Sequence, residues 1–106
     1  MIVVELTASG RLLDEARALL AQPANTGEIL ISQHTLQMAL NRYLAGELDA
    51  AELNEWANCL ELNDRVIYEA GAEKCIATAL FFLATPEINL PIDQVLCRDL
   101  LVTLAG

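Results

Sequence analysis

Positive charge is what this sequence has least of: six Lys or Arg stand against fifteen Asp or Glu, for a formal net charge of −9 at pH 7. The basic residues form no cluster, so the electrostatic footprint needed to neutralise phosphates is missing and direct nucleic-acid binding is not expected. Catalytic signatures are missing too. The sequence has no glycine-rich phosphate loop, no HExxH and no serine in a nucleophile-elbow context. Its single histidine, His34, has no Ser, Cys or Asp arrangement beside it and reads as a solvent-facing residue rather than a general base.

The three cysteines, Cys59, Cys75 and Cys97, are widely spaced, with no CxxC and no accompanying histidine pair. On apolar helical stretches they read as small buried hydrophobes, not as ligands. Paired carboxylates such as Glu52 and Glu55 can hold a divalent metal from one helical turn, but such a bundle site also needs a second helix with Glu-x-x-His, which is missing here. We therefore expect no metal, no cofactor and no enzymatic activity. Long apolar runs are lacking as well: Cys75–Ala84 is closed off by Lys74 and Pro86 and falls short of the roughly 20 residues of a membrane span. The opening Met-Ile-Val-Val-Glu-Leu has no basic flank and resembles no secretory signal. The expectation is a cytoplasmic protein with no membrane partner.

What is present is apolar residues in helical patterns. They make up 55% of 106 residues, enough for the core of one helical domain spanning residues 1–106. Ser9 can cap a helix through about Ala21, ended by Pro23, with Asn25-Thr26-Gly27 in the loop that follows. Ser32 can cap a second helix through Ala45, with Leu36, Ala39, Leu40, Tyr43 and Leu44 on its apolar stripe, His34 and Met38 on the opposite side, and Gly46 as its stop. A third helix starts at Asp49, an N-cap with Glu52 three residues on as in a capping box, and buries Leu53, Trp56, Ala57 and Leu60. A fourth, about Ala72 to Ala84, is apolar nearly all round and suits the axis of a bundle, and a fifth runs from about Pro91 to Leu104 with Val95, Leu96, Leu100, Leu101 and Val102 available for packing. Residues 66–68 favour an extended segment, and residues 1–6 suit either a short strand or an irregular arm. The expected fold is all-α: a compact bundle of about five helices with short extended segments at 1–6 and 66–68.

Function is expected where the charge gathers. Between Glu47 and Lys74 lie eight carboxylates (Glu47, Asp49, Glu52, Glu55, Glu61, Asp64, Glu69, Glu73) against Arg65 and Lys74. Glu52, Glu55, Asn58, Glu61, Asp64 and Glu69 form a contiguous partner-binding face if the helix and the following loop lie side by side, with Trp56 anchoring the helix beneath. A row of carboxylates on a rigid helix mimics a row of phosphates, which suits it to the basic active site of a nuclease. The competing reading is a solvated face that serves solubility.

The run Leu48-Asp49-Ala50-Ala51-Glu52-Leu53-Asn54-Glu55-Trp56-Ala57-Asn58, then Glu61, Asn63-Asp64 and Ile67-Tyr68-Glu69, then Ala84-Thr85-Pro86-Glu87-Ile88, resembles an "ELxxWANxxExxDDIxxE…NPEI" pattern of small acidic bacterial proteins. That group includes immunity proteins encoded beside polymorphic or contact-dependent growth-inhibition toxins. The resemblance covers about residues 36–90 and departs from the pattern at Asn63-Asp64-Arg65 and at Ala84-Thr85-Pro86. It implies a cytosolic inhibitor that binds a sibling toxin domain, often a nuclease, and has no activity of its own. The alternative from the residues alone is a non-enzymatic helical interaction or regulatory module, homodimeric through exposed apolar surface such as Met38 or the last helix.

Overall fold

In the computed structural model, which describes residues 3–5, 14, 17–18, 28–61, 63, 65–86 and 91–105, the chain is mostly helical. Four helices of twelve residues each are present among the described residues: α1 (Gln33–Leu44), α2 (Ala50–Glu61), α3 (Glu73–Ala84) and α4 (Gln94–Ala105). Of the helix expected over 9–21, only Asp14, Arg17 and Ala18 are described, and all three are helical; the rest of it lies outside the described residues.

The all-α expectation needs one correction, a small sheet. Strands β1 (Val3–Glu5), β2 (Glu28–Ile31) and β3 (Val66–Tyr68) lie side by side in the order β1-β2-β3, both pairs parallel. Val4 stands opposite Ile29, and Leu30 opposite Ile67. The extended segments expected at 1–6 and 66–68 supply its two edges, and β2, in a stretch for which no element is expected from the sequence, is its centre. Parallel neighbours require long crossovers. Here α1 and α2 together carry the chain from β2 to β3. Ile29 and Ile31 are buried while Glu28 and Leu30 are half-buried, the alternation of a strand with one face against a core.

Local chemistry explains the helix boundaries. Ser32 caps α1: its hydroxyl accepts from the Thr35 amide at 3.1 Å, and the Ser32 amide donates to Thr35 Oγ1 at 3.3 Å. Gly46, at φ 84°, takes the left-handed turn just past the end of α1. At α2 the expected capping box forms, with the Glu52 amide donating to Asp49 Oδ1 at 2.8 Å and the Asp49 amide to Glu52 Oε1 at 3.4 Å. Asp93 caps α4 by accepting from the Leu96 amide at 2.8 Å.

One core gathers Ile29 and Ile31 of β2, Leu36 and Leu40 of α1, Leu53, Trp56 and Leu60 of α2, Ile76, Leu80 and Leu83 of α3, and Leu96, Leu100 and Leu104 of α4. The expected stripes of α1 and α2 are the buried ones, except that Tyr43 and Leu44 are only partly buried and Met38, expected outside, packs against the core. Helix α3 touches α1, α2, α4 and β3, which makes it central. It is nonetheless one-sided, with Ala77, Thr78 and Phe81 exposed. On α4 the packing set also shifts: Cys97 and Leu104 are buried, whereas Val95 and Val102 face solvent.

Candidate functional site

The inner side of α2 is fixed by Leu53, Trp56, Ala57 and Leu60, all fully buried. Its outer side therefore has little freedom to move relative to the core. Ala51, Glu52, Glu55 and Asn58 are exposed there, at spacings of three and four residues that place them on adjacent turns of one face. Glu52 is partly engaged in the cap described above. Glu55 Oε2 accepts from Arg17 Nη2 at 3.1 Å, with the two side chains 56% and 60% exposed. At that exposure an ion pair contributes about 0–1 kcal/mol, so it competes weakly with any cation a partner brings. Asp49 and Glu47 extend the acidic edge beyond the helix start, both exposed, Glu47 accepting from Arg42 Nε at 3.1 Å.

The remaining members of the expected face do not join it. Glu61 is half-buried, with Oε2 enclosed and without a hydrogen-bond partner among the described residues, and burial raises its carboxyl above the ordinary value. The Tyr68 phenol is also raised, first by burial and then by the charge of Glu61. Glu69 is committed elsewhere: its Oε1 accepts from the Gln33 amide at 2.9 Å, at the N-terminus of α1. That places a carboxylate where the free N–H groups and the helix dipole favour it. Asp64 lies outside the described residues. A contiguous face from Glu52 to Glu69 is thus replaced by an outward cluster, Glu52, Glu55 and Asn58, and two carboxylates turned to internal work. Arg17 was not foreseen beside Glu55, since nothing in the sequence links positions 38 residues apart.

The rest of the described surface offers little chemistry. A shallow depression of about 490 Å³ is lined by Ala50, Ala51, Asn54, Pro86, Pro91 and Ile92. It presents no charged group, and the Asn54 amide beside it already donates to the Leu83 carbonyl at 2.8 Å. Among the described residues no group of three His, Cys, Asp or Glu side chains could hold a metal ion. Cys97 is buried, and burial together with Asp93 pushes its thiol up to about 11, which suppresses the reactive thiolate. Cys59 and Cys75 are half-buried rather than buried as expected, and all three thiols are free. No described helix is long and apolar enough to cross a membrane. No protein-family model matches the chain, and neither does any curated protein or solved structure.

Proposed function

We propose that this chain is a cytoplasmic immunity protein of the contact-dependent or polymorphic-toxin type, which binds and neutralises a basic, nuclease-type toxin domain and has no catalysis of its own. The observation that carries the reading is the outward row Glu52, Glu55 and Asn58 on a helix whose opposite side is locked in the core. Such a row is preorganised, so little side-chain or backbone ordering remains for a partner to impose. The exposed Arg17–Glu55 pair exchanges readily for a pair with a toxin's Lys or Arg. Glu47 and Asp49 widen the field that draws a basic partner in, and Asp64 belongs to the same proposal from outside the described residues. The resemblance over residues 36–90 supplies the toxin-inhibitor class, and the charge supplies the sign of the partner.

The test is binding of the purified protein to the toxin domain encoded beside it, measured at low and high salt with Glu55→Lys combined with Asn58→Lys. These two positions avoid the Asp49–Glu52 cap, so unfolding stability should change by no more than about 0.5 kcal/mol. Affinity should fall by about tenfold or more, mainly at low salt. Full affinity in the double variant would remove the acidic-face mechanism, and absence of any toxin binding would remove the immunity reading itself.

A further inference from the structure

The depression at the start of α2 adjoins the acidic row. Ala50, Ala51 and Asn54 line it from α2, Pro86 from the segment after α3, and Pro91 and Ile92 from the segment before α4. Five of these six residues are apolar, and the space they border is about 490 Å³, within the range of sites that take small organic groups. Glu55 stands one helical turn on from Ala51, and Asn58 one turn on from Asn54. At about 100° per residue, Asn58, Glu55 and Glu52 then follow in that order away from the depression. The acidic row is thus its rim on one side.

Both walls are held in place. The Asn54 side-chain amide donates to the Leu83 carbonyl at 2.8 Å, tying α2 to the end of α3. The Tyr43 hydroxyl donates to the Ile92 carbonyl at 3.3 Å, tying the segment before α4 to α1. Pro86 and Pro91 have fixed φ as well. A partner therefore meets a surface that needs little ordering.

Charge and polarity together define what fits. Exposed carboxylates such as Glu52 and Glu55 draw a basic partner in, but each exposed ion pair shifts an equilibrium by no more than about fivefold. Tight binding needs a side chain removed from water, and Trp and Tyr are prominent among such anchors because their rings bring large apolar area at little entropic cost. The apolar depression is where such a ring can lose its water, and its negative rim requires positive neighbours. We propose that the depression receives an aromatic side chain of the partner, flanked in the partner's chain by a Lys or Arg that displaces Arg17 from Glu55. The inference rests on the toxin-binding reading for the partner's identity, and it names the anchor that the acidic row by itself lacks.

Two titrations test it. In the first, blocked Lys-Trp-Lys, Lys-Gly-Lys and Glu-Trp-Glu peptides are added at low salt to the isotope-labelled protein while its amide resonances are followed. Lys-Trp-Lys should bind with a dissociation constant of about 1–5 mM and shift the amides of Ala50, Ala51, Asn54 and Ile92 most. The other two peptides should each bind at least about fivefold more weakly, one for want of the ring and one for want of the charge. Ala51 is exposed, so Ala51→Phe fills the depression without disturbing the core and should remove these shifts while leaving thermal unfolding unchanged. Strongest shifts elsewhere, either control peptide binding as well as Lys-Trp-Lys, or full binding by Ala51→Phe would each overturn the proposal.

In the second, the toxin domain is titrated with Ala51→Phe. Affinity should fall by at least about tenfold and the loss should persist at high salt, unlike that in the variant combining Glu55→Lys with Asn58→Lys. Full affinity with Ala51→Phe would overturn the anchor and leave the acidic-face reading standing. No toxin binding, alongside the expected peptide shifts, would remove the immunity reading and leave the depression as the aromatic-binding site for a different basic protein.

Discussion

Residues 52–58 and 61–69 carry acidic side chains at similar density, yet the fold puts them to opposite uses. In the first stretch Glu52 and Glu55 stand in water on the outer side of α2. In the second, Glu61 is turned toward the interior and Glu69 holds the first turn of α1. Charge in a sequence thus divides into a part drawn into the fold, at a gain for Glu69 and a cost for Glu61, and a part left for other molecules. What separates the two is the side of the element from which each residue projects. Removing Glu55, the outer acid that takes no part in the cap, should be nearly silent in stability, and a change at either inner acid should not be.

The largest break in this comparison is expected on the inner side of the same helix. Trp56 is fully buried, and its indole Nε1 has no hydrogen-bond partner among the described residues. Trp56→Ala should cost about 3–5 kcal/mol of unfolding free energy, measured by denaturant titration, through lost burial and the cavity left behind. Trp56→Phe should lose much less, because it keeps most of the ring and removes the unpaired donor. A Phe variant as damaged as the Ala variant would mean that the indole N–H is satisfied after all.

A smaller break is expected at Glu69. Glu69→Ala leaves the part-buried Gln33 amide without an acceptor and removes an anion from the N-terminus of α1, a loss of about 1–2 kcal/mol. Glu69→Gln keeps an acceptor and loses only the charge, so it should retain more than half of that stability in the same titration. Equal losses in the two variants would show that the charge, not the hydrogen bond, matters at this position.

These contrasts also show what could be read from the chain. Helices α1 and α2 were legible because their signals are local: Ser32 with Gly46, and Asp49 with Glu52, mark their ends, and the spacing of Leu36, Leu40, Leu53 and Leu60 marks their inner sides. Strand β2 was not, because four residues give only two cycles of alternation. Its partners, Val3–Glu5 and Val66–Tyr68, are also remote in sequence. Within the candidate site, the step of three residues misled. On a helix with 3.6 residues per turn, each such step slips back by about 60°, so that Glu61, three steps from Glu52, has swung through about half a turn. Glu52, Glu55 and Asn58 stay within the outer arc, and Glu61 leaves it. Glu69 was illegible for another reason. Its role comes from β3 pairing with β2, where the Glu69 amide donates to the Ile31 carbonyl at 3.0 Å, next to the start of α1.

The finest test concerns Glu61, where the two uses of charge conflict. Its carboxyl is raised in the folded chain by burial, so the folded state holds its proton at pH values where the unfolded chain has already released it. Stability therefore falls as pH rises through the folded value, and the penalty for enclosing the carboxylate is fully present at neutral pH. Below the ordinary carboxylate range both states are protonated, and the penalty disappears. Glu61→Gln removes the ionisable group while preserving its shape, so it should stabilise the protein at pH 7 by about 1 kcal/mol or less, and the gain should shrink toward zero as pH falls to about 4. Paired denaturant titrations of parent and variant across that range measure the difference directly, cancelling the contributions of the other carboxylates. A gain that stays constant with pH would show that Glu61 is solvated like Glu55, and the division between the outer and inner acids of this stretch would then rest on Glu69 alone.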